Sequence, residues 1–158
     1  MPTPLNEGQP APDFTAETDQ GETVSLKDFA GKHVVLYFYP KDDTPGCTTE
    51  ACSFRDNMSR LQAEGAVVLG ISLDSVRSHQ KFRDKFQLPF TLLSDPEHKV
   101  ADAYGVYGQK TFVGREYMGV DRATFLIAPD GKLEKVWPKV KPDGHAEEVL
   151  AALREHKH

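Results

Sequence analysis

The chain has 158 residues, 39% of them apolar, with 24 acids against 19 bases for a net charge of −5. That length supports one substantial core, and without a dense cluster of Lys and Arg the charge excludes a phosphate-tracking nucleic-acid surface or a basic face for an anionic membrane. No run approaches the ~20 apolar residues of a membrane span, no repeat or low-complexity tract interrupts the chain, and a single domain over residues 1–158 is expected.

The segment Met1 to Pro10 lacks the basic start and apolar stretch of a secretion signal, so cytoplasm is the expected location. Asp13-Phe14-Thr15 and Thr23-Val24 around Gly21 predict an N-terminal β-hairpin ahead of the main sheet. Val34 to Tyr39 reads as a buried strand, followed by the loop Pro40-Lys41-Asp42-Asp43-Thr44-Pro45-Gly46-Cys47 and a helical pattern. Ala66 to Ser72 is a second buried strand, and Asp74 or Ser75 caps a helix running to about Phe86. This alternation implies a parallel strand pair. Phe90-Thr91-Leu92-Leu93 predicts a short strand, with Asp95-Pro96-Glu97 opening a capped short helix that ends before Gly105. Ala123 to Ile127 and Lys132 to Trp137 flank Pro129-Asp130-Gly131, a hairpin pattern, and a closing helix spans roughly 143–155. The fold class is α/β.

Chemistry is concentrated at the two cysteines, Cys47 and Cys52. Thr44 as N-cap and Pro45 in the first turn would put Cys47 at the third helical position. Free backbone N–H groups and the helix dipole favour an anion there. In a reducing compartment a close cysteine pair serves catalysis or metal binding rather than a permanent crosslink. Metal is the weaker reading, because His33, His79, His98, His145, His156 and His158 are scattered and show no zinc-site spacing; His156 and His158 read as a solvated tail. At ~100° per residue, Ala51, Phe54, Met58 and Leu61 fall within about 40° of Cys47 and make an apolar stripe. Cys52 lies ~140° away on the polar face beside Asp56 and Ser59, and an intact helix would hold the two Cα atoms about 8.6 Å apart, beyond the ~7 Å reach of a disulfide. A Cys47–Cys52 bond therefore requires unwinding. Such spacing suits oxidation of Cys47 to a sulfenic acid, which then drives rearrangement, better than direct dithiol exchange. The plainer reading keeps Cys47 as a small core hydrophobe and Cys52 as an idle thiol.

Three further segments sharpen this. Gly8-Gln9-Pro10-Ala11-Pro12-Asp13-Phe14, the Pro40-x3-Thr44-x2-Cys47 pattern and Arg122-Ala123-Thr124-Phe125-Leu126-Ile127 resemble the motifs of the peroxiredoxins, in particular the bacterioferritin-comigratory or Q-type branch with an atypical two-cysteine arrangement. The resemblance runs from about residue 5 to the final helix. It implies a thioredoxin-like fold, a central mixed sheet flanked by helices with the N-terminal hairpin as an extension. It further implies Cys47 as peroxidatic cysteine, Cys52 as resolving cysteine, and a pocket of Pro40, Thr44 and Arg122. Two departures stand out. Some members place the resolving cysteine in the next helix, where this chain reads Lys81-Phe82-Arg83, and the strand that commonly ends Phe-Leu-Ile-Asp ends here in Ala128.

The residue types fit that chemistry, although Thr44 could be a plain cap and Arg122 a surface ion pair. An ordinary thiol is already about 3% ionised at pH 7, so full ionisation gains only about 30-fold, and the site must also hold the peroxide and stabilise charge on the departing oxygen. Thr44, Arg122 and the N–H groups of Gly46 and Cys47 are the expected donors, with Pro40 shielding the thiolate. The expected cycle reduces hydrogen peroxide or alkyl hydroperoxides through a Cys47 sulfenic acid and a Cys47–Cys52 disulfide. A thioredoxin-type dithiol, the partner that the resemblance implies, then restores both thiols. No metal, haem or flavin cofactor is implied, and a monomer is expected because periodicity reveals no strongly apolar surface helix or edge strand. The alternatives are a general thiol-disulfide oxidoreductase, against which the C-x4-C spacing argues, and a noncatalytic thioredoxin-like binding or holdase module.

Overall fold

The computed structural model describes residues 3–155, so the His156 and His158 tail lies outside the described residues. β1 (Thr15–Thr18) and β2 (Thr23–Ser25) form the expected hairpin, with Ala16 opposite Val24. A 3-10 turn over Leu26–Phe29 leads to β3 (His33–Phe38), then α1 (Pro45–Asp56), α2 (Met58–Ala63), β4 (Ala66–Ser72), α3 (Val76–Phe86), β5 (Thr91–Ser94) and α4 (Lys99–Ala103). β6 (Tyr107–Phe112) and β7 (Arg115–Val120) form a separate two-stranded sheet before β8 (Ala123–Ile127), β9 (Leu133–Trp137) and the closing helix α5 (His145–Glu155).

Seven strands form one mixed sheet in the order β2-β1-β5-β4-β3-β8-β9. β3, β4 and β5 run parallel, as their helical crossovers require, while β1, β8 and β9 join antiparallel to their neighbours. Strand alternation divides the interior into two cores. Val35, Tyr37 and Tyr39 face Ala51 and Phe54 of α1, Phe82 of α3 and Val149 and Leu153 of α5. Val34, Leu36 and Phe38 face Val100 and Tyr104 on the other side. Being covered on both faces, β3 is apolar at successive positions instead of alternating.

Three local features go beyond what the sequence pattern predicts. The stripe through Ala51, Phe54, Met58 and Leu61 packs inward, but it spans two helices because the chain breaks at Asn57, whose side-chain amide donates to the Ser53 carbonyl at 2.8 Å. Asp95 is not the N-cap of α4; that position belongs to His98 at φ 50°, while the Asp95 carboxylate accepts from the N–H groups of Val100 (3.2 Å) and Ala101 (2.9 Å). The β6–β7 hairpin turns at Val113 and Gly114 with φ of 50° and 76°. That geometry normally recruits Asn-Gly or Asp-Gly, and a Val-Gly turn leaves no comparable mark in the sequence.

Candidate active site

Sheet register brings the separated motifs together. Phe38, the last residue of β3, lies opposite Ala123, the first of β8, so Arg122 stands beside the point where the chain leaves the sheet for α1. On β8, Leu126 points into the α1–α5 core, and period-two alternation carries Thr124 and Arg122 to the same side. At the start of α1, Thr44 is the N-cap in extended conformation and Pro45 opens the first turn, which makes Cys47 the third helical residue. First-turn N–H groups, those of Gly46 and Cys47 among them, have no acceptor within a helix.

Cys47 is 1% exposed. Arg122 Nη2 donates to its Sγ at 3.3 Å, and Nη1 of the same guanidinium donates to Glu50 Oε1 at 2.8 Å. Glu50 sits one turn after Cys47, fully buried, and its Oε2 has no hydrogen-bond partner among the described residues. Burial pushes its carboxyl up to about 7 against the pull of Arg122. For Arg122 burial works against the cation, but Glu50 and Cys47 together hold it above its ordinary value. A guanidinium stays charged across the accessible pH range, so Glu50 is the member that titrates.

The other expected residues are placed unevenly. The Thr44 hydroxyl donates to the Lys41 carbonyl at 2.9 Å, neither capping the helix with its oxygen nor pointing its proton at Cys47. A hydroxyl has one proton, so Thr44 must rotate before it can donate to the thiolate. Pro40 is exposed and lines a groove of about 960 Å³ together with Arg122, Val120 and Pro138. At Gly46 a Cβ would come within 3.0 Å of Arg122 Nη2, so the missing side chain lets the guanidinium approach. Cys52 is half-buried and, like Cys47, a free thiol; α1 is continuous between them. Ala128 follows the opposite end of β8 and lines a separate cavity with Leu26 and Phe29, apart from Cys47.

Sequence reasoning missed Glu50, Tyr37 and His145. Glu50 is about 60° from Cys47 on the helical wheel, close enough to the apolar stripe to be noticed, yet a lone acid on a helix reads as solvated. Tyr37 stacks on Phe54 at 4.7 Å between centroids, and its buried hydroxyl has no hydrogen-bond partner among the described residues. Burial, then Glu50, then Cys47 hold that phenol well above its usual range. Behind the site, His145 Nε2 is 2.8 Å from Thr124 Oγ1 and its ring meets Trp137 edge-on. Burial pushes His145 down.

An open α/β sheet that offers a single buried thiol at a helix start, beside a fixed cation, defines a thiol-based redox protein. Comparison with known proteins narrows the class. The AhpC/TSA family pattern matches residues 7–136. The peroxiredoxin Bcp of Bacillus subtilis is 53% identical over 148 residues, 94% of each chain. Among solved structures, a cysteine-to-serine mutant of peroxiredoxin Q from Xylella fastidiosa superimposes with a TM-score of 0.92 at 36% identity, covering 98% of both chains. The bacterioferritin comigratory protein of Xanthomonas campestris, described for its alkyl peroxide reduction activity, gives 0.89 at 38% identity, covering 96% of this chain and 99% of that one. The chain belongs to the AhpC/TSA family as a thioredoxin-fold peroxiredoxin of the bacterioferritin-comigratory, Q-type branch, and it is a peroxidase.

Proposed function

We propose that Cys47 is the peroxidatic cysteine and Cys52 its resolving partner, in a cycle that reduces hydrogen peroxide and alkyl hydroperoxides. The observation that carries this reading is the 3.3 Å contact from Arg122 Nη2 to Cys47 Sγ at the start of α1. The thiolate attacks the terminal peroxide oxygen; the S–O bond forms as the O–O bond breaks, and the departing oxygen takes a proton to leave as water or an alcohol. Arg122 and the first-turn N–H groups stabilise the charge on that oxygen. Cys47 is left two electrons poorer, as the sulfenic acid. The Cys52 sulfur then attacks it, the S–S bond forms, the S–O bond breaks and water leaves. A thioredoxin-type dithiol reduces the disulfide by two exchange steps and is itself oxidised. Pro40 shields the thiolate, Gly46 admits Arg122, and Thr44 donates once rotated. The protein acts as a cytoplasmic monomer.

Stopped-flow oxidation of the reduced protein tests this. Wild type should consume peroxide rapidly and Cys47→Ser not at all. Equal turnover by the two proteins would end the reading.

A further inference from the structure

Asp42 fixes the loop between β3 and α1. It is 7% exposed, and both carboxylate oxygens are occupied. Oδ1 accepts from the Tyr39 hydroxyl at 2.6 Å, and Oδ2 accepts from Ser78 Oγ at 2.8 Å and lies 2.7 Å from His79 Nδ1. The Asp42 N–H donates to Asp74 Oδ2 at 2.8 Å, an oxygen that Ser72 Oγ also reaches at 2.7 Å. His79 is fully buried, and its Nε2 is 2.8 Å from the Leu93 carbonyl. A carbonyl only accepts, so Nε2 carries a hydrogen. A continuous chain of contacts therefore ties the loop through α3 to β5. At the other end of α1, Arg55 Nη1 donates to the Phe86 carbonyl at the end of α3, 2.8 Å away. The segment between the two cysteines is gripped by α3 on both sides.

Donor atoms of Asp42, Asp74 and His79 lie within 4.8 Å of one another, close enough to hold a cation. The hydrogen bonding favours a different role. Both oxygens of Asp42 and both nitrogens of His79 already face protein partners, which makes this a closed knot between the loop and α3.

We propose that the Asp42–His79 pair is a latch that positions the loop, and with it Cys47, for attack on peroxide, and whose release lets the first turns of α1 unwind so that Cys47 can reach Cys52. The inference rests on the role proposed above for Cys52. The latch residues touch no reacting atom and act through the start of α1. Removing either partner costs the other a buried hydrogen bond that only the closed state makes, so the closed state is selectively weakened. Loosening the latch moves the two chemical steps in opposite directions.

Asp42→Asn and His79→Gln should each slow the second-order reaction of Cys47 with peroxide several-fold and speed the first-order formation of the Cys47–Cys52 disulfide several-fold, both followed by rapid quench and intact mass. Ser78→Ala, which removes one hydrogen bond from Asp42 Oδ2 and keeps the pair, should shift both rates the same ways by about twofold, and it decides the matter if the stronger variants do not fold. Lys85→Ala, which deletes an exposed ion pair to Asp43, should change neither rate. Folded variants whose disulfide forms at the wild-type rate, or whose two rates fall together, overturn the latch and leave the cycle standing. Absence of a Cys47–Cys52 disulfide in the wild type overturns the role of Cys52 and the latch with it.

Discussion

Arg122 has to serve two atoms at once, the Cys47 sulfur through Nη2 and the Glu50 carboxylate through Nη1, and only a planar fork reaches both from one position. Arg122→Lys keeps a cation but loses that geometry. Its pH-independent rate with peroxide should fall by about 10²–10³, the typical effect of losing one charge-stabilising donor. Measuring that rate together with the titration of Cys47 separates the roles: a fall no larger than the change in thiolate fraction would mean that Arg122 only sets charge. Glu50 makes a second prediction. Its carboxyl is raised in the folded protein, so its contribution to stability is fully present below the ordinary carboxylate range and is lost as pH rises through about 7. At ~1.4 kcal/mol per unit, the loss is at most a few kcal/mol. Glu50→Gln retains an acceptor for Arg122 and cannot titrate, so urea unfolding at pH 5 and pH 8 should show the wild type losing stability relative to the variant. Parallel pH profiles would contradict the raised carboxyl.

At the scale of elements, α1 is the part that must change. It is regular from Pro45 to Asp56, with Cys47, Ala51 and Phe54 inward and Cys52 half-buried, so a disulfide between the two cysteines requires the first turns to open. Amide exchange should therefore be faster at residues 45–54 in the oxidised protein than in the reduced one. Unchanged protection there, in a protein whose Cys47–Cys52 bond is verified by mass, would remove the unwinding step. How legible an element was depended on how its residues encode it. The buried strands β3, β4 and β8 were readable because uninterrupted apolar runs leave few alternatives. The start of α1 was readable because Thr44-Pro45 is a strong local start pattern. The break at Asn57 was not, since it depends on one side chain competing for the Ser53 carbonyl, and the β6–β7 hairpin was hidden by its Val-Gly turn.

Over the whole molecule, the site exists because sheet register joins residues far apart in sequence. Arg122 meets Cys47 only because Phe38 pairs with Ala123, a relation that local patterning does not encode; the Pro-Thr-Cys and Arg-x-Thr-Phe motifs supplied it through resemblance to a family. Glu50 and the Asp42–His79 knot had no such motif, and charged residues read one at a time are assigned to solvent. The fold also bears on the stability of the two redox states. A crosslink from Cys47 to Cys52 closes a short loop, and the chain-entropy relation extrapolates to only about 2 kcal/mol, comparable to losing one well-packed side chain such as Phe54, while opening the first turns of α1 gives up their helix hydrogen bonds as well. The oxidised protein should thus unfold at a lower temperature than the reduced one. The most direct test of the account is the fate of one equivalent of peroxide on reduced Cys52→Ser, followed by sulfenic-acid trapping and peptide mass analysis. The predicted result is a single rapid turnover that uses the added equivalent and leaves one trappable oxygen on Cys47. Oxidation at another residue, or a Cys47 that stays a thiol while peroxide disappears, would contradict it.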